Sequence, residues 1–96
     1  MTIEQLLREK SAEIRQIAAR HGAYNVRVFG SVARGEAGPE SDIDLLIEAG
    51  PTTSSWFPAG LVLDLEKLLG RRVEVVTENS LNPDLRDNVF REAVPL

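Results

Sequence analysis

The chain has 96 residues, 43% of them hydrophobic, and a formal net charge of −4. A chain of this length and composition is expected to form one small domain, residues 1–96, rather than a disordered segment. The acidic balance argues against direct nucleic-acid binding. The lack of cysteine excludes disulfides, zinc–thiolate sites and a cysteine nucleophile.

Targeting and membrane segments are not visible in the sequence. The N-terminal residues lack the basic start and the apolar run of a signal peptide. No apolar stretch reaches the 18 residues that a membrane-spanning helix needs. A cytoplasmic protein without a membrane partner is therefore expected.

The chain opens with a predicted amphipathic helix, Ile3–Arg20, in which apolar residues recur at helical spacing. Thr2 and Gln5 fit a capping box at its start, and Gly22 suits the position just past its end. His21 is the only histidine. It is interpreted as a cation near a helix C-terminus rather than as a catalytic group, because no second histidine is present to build a site with it.

A first strand is predicted over Tyr24–Phe29, and it stops at Gly30. Ser31 can cap a short turn or helix whose free N–H groups form an anion site. Gly30 would let the backbone approach a phosphate, and Ser31 would add a hydroxyl donor. For the Gly-Ser pair alone, an ordinary tight turn is the simpler alternative. Arg34 could neutralise a phosphate or pair with an acid of the site, and the sequence does not separate these two roles.

After a loop, the second strand is predicted over Asp42–Glu48. Side chains alternate along a strand, so Asp42 and Asp44 share one face with their Cα atoms roughly 6.5–7 Å apart. Two carboxylates this close repel each other without a cation, and a pair of divalent metal ions would relieve that repulsion. The alternative is a surface strand whose alternating acids only face water, and the Asp-x-Asp pair alone does not decide against it. The opposite face is wholly apolar and should pack on helices; it consists of Ile43, Leu45 and Ile47.

The remaining segments alternate helix, strand and helix. A helix is predicted over Pro58–Leu69, and Trp56 is expected to pack at its entrance, with nucleobase stacking or partner contact as the alternative. The third strand, Arg72–Thr77, carries Glu74 among valines. A carboxylate in such a strand points to a role, because burying an unpaired charge is costly. The alternative is a solvated acid on an edge strand. The last helix is predicted over Asn82–Val94.

The segment from Gly30 to Ile47 combines a Gly-Ser turn with an Asp-x-Asp pair at a fixed distance. It resembles the signature G-S-x-x-R-G-x(5)-S-D-x-D-L-x-V/I of the DNA polymerase beta-like nucleotidyltransferases. Within them it is most similar to the minimal nucleotidyltransferases, the antitoxin partners of HEPN-domain toxins. Every fixed position is met: Gly30, Ser31, Arg34, Gly35, Ser41, Asp42, Asp44, Leu45 and Ile47. The P-loop and dinucleotide-binding motifs are absent.

This resemblance implies an α/β nucleotidyltransferase fold, with a small mixed sheet of about three strands and helices packed on one face. It implies three catalytic and metal-binding carboxylates, Asp42, Asp44 and Glu74. It also implies a nucleotide-binding set, Gly30, Ser31, Arg34 and Ser41. The family usually has aspartate at the third acidic position. Glu74 departs from that pattern and could serve as third ligand, as base or as both, or could weaken activity.

The function that the resemblance implies is transfer of AMP from ATP to a tyrosine hydroxyl of a HEPN-domain toxin. Mg²⁺ is the expected cofactor, with two ions, and Mn²⁺ also suits oxygen ligands. Little of the chain remains to build an acceptor pocket, so the acceptor is expected on another macromolecule. Two alternatives stay open. One is an antitoxin that neutralises its partner by docking alone, and the other is a subunit of a small-molecule nucleotidyltransferase.

Overall fold

The computed structural model describes residues 2–96. A mixed sheet of four strands carries the candidate site. The strands are β1 (Ala23–Phe29), β2 (Ile43–Ala49), β3 (Val73–Thr77) and β4 (Val94–Pro95). Their spatial order is β3-β2-β1-β4, with β1 antiparallel to β2 and β4, and β2 parallel to β3. The sequence missed β4 because two residues cannot show an alternating pattern.

Four helices and one 3₁₀ turn connect the strands. The helices are α1 (Ile3–Arg20), α2 (Gly30–Ala33), α3 (Ala59–Leu69) and α4 (Pro83–Glu92), and the 3₁₀ turn is Glu78–Ser80. The capping box at the start of α1 is confirmed: the Thr2 hydroxyl accepts from the Gln5 N–H at 3.1 Å, and the Gln5 side chain accepts from the Thr2 N–H at 2.8 Å. No helix within residues 2–96 is long and apolar enough to cross a membrane.

The main core is formed by β1 and β2 with helices α1 and α3. The face of β2 that was predicted to be apolar is almost inaccessible to solvent: Ile43, Leu45 and Ile47. Burial of each such side chain contributes about 1.5–3 kcal/mol. Leu46 is equally buried but lies outside this cluster, on the strand face that it shares with Asp44. The core therefore fixes the strand that carries Asp44 as its second residue.

Two boundaries differ from the prediction at places that matter for the site. Asp42 lies just before β2 rather than inside it, because β2 begins at Ile43. The last helix ends at Glu92 rather than Val94, since Val94 and Pro95 turn back to pair with β1. Asn82 is the N-cap of that helix, as predicted, and its side chain accepts from the Asp84 N–H at 2.9 Å.

Trp56 does not pack at the entrance of α3, so that prediction is wrong. Its side chain is 87% exposed, and its φ of 62° lies in the left-handed region that few non-glycine residues adopt. This backbone conformation turns the indole outward. The alternative of contact with a nucleobase or a partner protein remains a prediction.

Candidate active site

Two carboxylates face each other on neighbouring parallel strands. Asp44 of β2 is the direct register partner of Glu74 of β3. Glu74 is exposed on this edge strand, so the cost of a buried charge, from which the sequence inferred a role for it, does not apply. The pKa of Asp44 is raised to about 6, first by burial, then by the negative charge and hydrogen-bonding contact of Glu74, with a smaller contribution from Asp42. Ionising Asp44 places like charges side by side, and a bound cation would relieve that repulsion.

Asp42 stands at the edge of this pair. Its side chain is half-exposed, and its Oδ1 lies 3.9 Å from Nε of Arg72, a loose ion pair. Within residues 2–96, no three His, Cys, Asp or Glu side chains are grouped closely enough to hold one metal ion between them. The acids still fit Mg²⁺ by their chemistry, because that ion is usually bound by one or two carboxylates together with water and phosphate oxygens rather than by an all-protein cage.

Gly30 joins the Gly-Ser turn to the acidic pair. Phe29, the last residue of β1, is the register partner of Asp44, so Gly30 begins where the Asp44 side chain emerges. A Cβ at Gly30 would clash with the Asp44 carboxylate, and the Gly30 φ of 73° is itself unfavourable for other residues. Two separate features, the close carboxylate and the positive φ, therefore favour glycine at position 30. The fixed spacing between turn and acids reflects direct contact between them.

Ser31 lies inside α2 and does not cap it. The N-cap residue is Phe29, and α2 has no side-chain cap hydrogen bond at that residue. The predicted capping role of Ser31 is therefore wrong, because the helix begins at Gly30, two residues before the start that a Ser31 cap would give. The N–H of Gly30 instead donates to Oε1 of Glu92, the last residue of α4, at 3.0 Å.

Arg34 pairs with acids in this structure. Its Nε donates to Glu36 at 2.8 Å, and one terminal nitrogen lies 3.1 Å from the nearer Glu92 oxygen. These carboxylates, Glu36 first and Glu92 second, raise the pKa of the guanidinium. These partners are not the predicted acids of the site, so both roles that the sequence left open for Arg34 stay predictions.

Ser41 shapes the loop that precedes Asp42. Its hydroxyl oxygen accepts from the Gly38 N–H at 2.8 Å. Its carbonyl accepts from Arg71 at 2.8 Å, and Arg71 also donates to the Gly38 carbonyl at 3.3 Å. Arg71 thus holds together the loop that delivers the first aspartate. Its role was missed, since the contact joins two distant loops and nothing nearby in the sequence marks it.

A shallow, open cleft of about 480 Å³ lies beside Arg34 and Glu92. One side of the cleft is formed by Arg34 and by Glu92, which accepts a hydrogen bond from the Gly30 N–H of the turn. The rest of the lining comes from one side of α4: Leu85, Asn88, Val89 and Arg91. Glu92 was also missed by sequence reasoning, because its partners lie about 60 residues away in the chain.

A second polar cluster surrounds His21 at the end of α1. Its Nδ1 lies 2.6 Å from the Ser54 hydroxyl, and its Nε2 lies 2.7 Å from an Asp64 carboxylate oxygen. The hydrogen bond with His21 is the main reason why the pKa of Asp64 is lowered. These contacts tie the C-terminal end of α1 to the loop before α3 and to α3 itself. His21 lies next to the helix C-terminus, as predicted.

Comparison with known proteins identifies relatives over most of the chain. The family model described as nucleotidyltransferase domain matches residues 11–96. Protein adenylyltransferase MntA of Thermococcus cleftensis is 35% identical over 94 residues, which are 98% of this chain and 95% of that protein. A Methanocaldococcus jannaschii protein provisionally named a protein adenylyltransferase is 40% identical over 88 residues, 92% of this chain and 95% of that one.

Solved structures share the fold. One that is provisionally described as a minimal nucleotidyltransferase has a TM-score of 0.86 at 50% identity, covering 100% of this chain and 97% of that chain. A toxin–antitoxin structure with AMP-PNP has a TM-score of 0.65 at 24% identity, covering 97% of this chain and 68% of that chain. The predicted fold and the resemblance to the minimal nucleotidyltransferases are confirmed.

Proposed function

Because this chain belongs to the nucleotidyltransferase domain family, we propose that it is a metal-dependent protein adenylyltransferase, which transfers AMP from ATP to a hydroxyl group of a partner protein. The observation that carries the proposal is the like-charged pair of Asp44 and Glu74 in contact with the Gly30 turn. The relative named protein adenylyltransferase MntA supports a protein as the acceptor.

We assign the cation to the acidic residues and the phosphates to the turn. The residues that would hold Mg²⁺ or Mn²⁺, with two ions expected, are Asp42, Asp44 and Glu74. When bound, the metal would neutralise phosphate charge and lower the pKa of an attacking hydroxyl. The residues that would contact the nucleotide are Gly30, Ser31, Arg34 and Ser41. The first of these offers a backbone N–H and the third a guanidinium, both donors suited to phosphate oxygens.

In the proposed reaction, the acceptor hydroxyl oxygen attacks the α-phosphorus of ATP. The bond between that phosphorus and the oxygen bridging to the β-phosphate breaks, and pyrophosphate leaves with the electron pair. The hydroxyl proton passes to a carboxylate, for which Glu74 is our choice. Glu74 is exposed on β3, a strand at one edge of the sheet, so a hydroxyl on another protein can approach it.

We propose a tyrosine of a HEPN-domain toxin as the acceptor, which would make the chain the antitoxin of that pair. The resemblance to the minimal nucleotidyltransferases supports this choice. A chain with the same fold, at 22% identity, belongs to a solved MntA–HepT toxin–antitoxin complex. The outward-facing indole of Trp56 offers an apolar contact for such a partner.

The second candidate is an antitoxin that acts by docking alone. Glu74 favours it, because the extra methylene relative to the aspartate of the family shifts the third carboxylate. In that case Asp44→Asn would leave neutralisation of the partner intact. In the enzymatic case the same substitution would remove both AMP transfer and the neutralisation that depends on it.

The test uses ATP labelled at the α-phosphate, with Mg²⁺, a lysate of the source organism, and either the wild type or Asp44→Asn. We expect a labelled protein with the wild type only, and mass spectrometry of that protein to place AMP on a tyrosine. ATP labelled at the γ-phosphate is the control for phosphoryl transfer and should give no signal. A partner bound equally by both proteins but labelled by neither would contradict the enzymatic proposal and favour docking.

A further inference from the structure

Glu92 occupies the two donors that we assign to phosphate. Its Oε1 accepts from the Gly30 N–H at 3.0 Å, and its two oxygens lie 3.3 and 3.1 Å from the same terminal nitrogen of Arg34. One carboxylate therefore engages a backbone donor and a cationic donor of the turn at once. Charge-assisted hydrogen bonds of this kind are about twice as strong as neutral ones.

The helix that carries Glu92 does not explain why an acid stands there. Glu92 is the last residue of α4. The C-terminal end of a helix carries partial negative charge, so a carboxylate is disfavoured at that position. The favourable contacts of Glu92 are those with Gly30 and Arg34. The anion-binding donors of the turn, rather than the stability of α4, account for the carboxylate.

Glu92 can leave these donors without a change of fold. Its side chain is 26% exposed and lines the open cleft of about 480 Å³. Rotation about its side-chain bonds moves the carboxylate into that space while the backbone of α4 stays in place. Exchange of the carboxylate for a phosphate group on Gly30 and Arg34 is thus a local event.

We propose that Glu92 is a built-in competitor for phosphate and sets the affinity of the nucleotide site. This inference rests on the proposed function. The carboxylate must leave Gly30 and Arg34 before phosphate can bind, so only the fraction of molecules with Glu92 displaced is competent. A polyphosphate brings several negative charges and displaces one carboxylate more readily than a single phosphate group does. The device therefore favours a triphosphate over a monophosphate.

The experiment measures binding by calorimetry in the presence of Mg²⁺, with ATP and with inorganic tripolyphosphate as separate probes. We expect Glu92→Gln to bind both probes roughly three- to tenfold more tightly than the wild type, which corresponds to a competent fraction of about 10–30%. Equal gains in affinity for ATP and for tripolyphosphate would show that Glu92 competes with the phosphate groups rather than with the nucleoside. A gain for ATP alone would overturn the inference.

Glu36→Gln is the matched control. It removes the same charge and also frees Arg34, whose Nε lies 2.8 Å from Glu36, but it leaves the Glu92–Gly30 hydrogen bond in place. We expect its affinity to stay within about twofold of the wild type. If both substitutions strengthen binding equally, general electrostatics explain the gain and the inference fails.

A purely structural role for Glu92 predicts the opposite result. If the carboxylate only fastens α4 to the turn, Glu92→Gln would lower the melting temperature and leave affinity unchanged or weaker. Glu92→Asp keeps the charge but is one methylene shorter, so it should bind more tightly than the wild type and more weakly than Glu92→Gln. Failure of the wild type and of every variant to bind either probe would contradict the proposed function itself. Binding by the wild type without a gain in Glu92→Gln would overturn this inference alone.

Discussion

Two polar clusters lie close to the same core, and their electrostatics are opposite. In the acidic cluster, Asp44 faces Glu74, and the pKa of Asp44 rises to about 6, mainly because of burial and next because of the neighbouring negative charge. In the histidine cluster, His21 bridges Ser54 and Asp64, and the hydrogen bond with His21 lowers the pKa of Asp64. Each cluster joins segments that are distant in sequence.

The difference distinguishes a cluster that is complete in the protein alone from one that is a candidate functional site. The members of the histidine cluster satisfy one another, so the cluster is complete in the protein alone. The acidic cluster places like charges together when both carboxylates are ionised, and a bound cation would relieve that repulsion. Perturbed pKa values of this second kind concentrate at functional sites. A Ser-His-Asp set can suggest catalysis, but here the unsatisfied acids are the better candidates.

The largest expected effect is a loss of AMP transfer, and it should appear in only one of the two clusters when the same Asp-to-Asn substitution is made in each. Asp44→Asn should reduce AMP transfer by about 100-fold or more, because it removes a carboxylate that we assign to the cation and the reaction. Asp64→Asn makes the same chemical change on α3 and should keep transfer within about twofold of the wild type. Rates of label incorporation from α-labelled ATP would measure both. Comparable losses in the two variants would mean that the histidine cluster also supports the reaction.

A smaller effect is expected in thermal unfolding with added cation. Mg²⁺ or Mn²⁺ at about ten times its Kd should raise the melting temperature of the wild type by roughly 5–10 °C, since a ligand that binds only the folded protein stabilises it. Asp64→Asn should show the same rise, and Asp44→Asn should show little. The baseline is the melting temperature in buffer that contains a chelator and no added metal. An equal rise in Asp44→Asn would place the cation elsewhere.

Local sequence patterns were enough for much of the fold. The first helix has the predicted bounds, because its capping residues and apolar spacing lie within the helix itself. Asp44 and Gly30 could be linked because the family signature preserves their spacing, and the structure shows the two residues in contact. The face that β2 buries also followed from the alternation of its side chains.

The features that were missed depend on tertiary contacts. Glu92 and Arg71 act on residues far away in the chain, so no local pattern identifies them. The short strand β4 forms only because β1 offers it a partner. Trp56 was predicted from the usual preference of tryptophan for packing, which its left-handed backbone conformation overrides. Sequence therefore predicted the elements that carry the candidate acids better than the distant residues that contact the turn and the loop.

The smallest effect, and the sharpest test of the electrostatic contrast, is the pH dependence of stability without metal. The Asp44 pKa of about 6 in the folded protein is above its ordinary value of 3.8, so folding is disfavoured by this group once the pH exceeds both values. Asp44→Asn removes that penalty. Its melting temperature should match the wild type near pH 4 and exceed it by roughly 2–5 °C above pH 7, with the difference appearing as the pH rises from about 4 to 6.

Asp64→Asn should change stability with the opposite sign. The pKa of Asp64 is lowered in the folded protein, so its carboxylate stabilises the fold above its ordinary pKa and loses that effect as the pH falls through the folded value. This variant should therefore melt below the wild type at pH 7, and the gap should close in acid. Calorimetric scans of the three proteins in a chelating buffer from about pH 2 to 8 would measure both differences, because the gap for Asp64→Asn closes below the ordinary pKa of aspartate. If Asp44→Asn also melts below the wild type at pH 7, the like charges of the acidic cluster are already compensated within the protein, and the cation is not needed to relieve them.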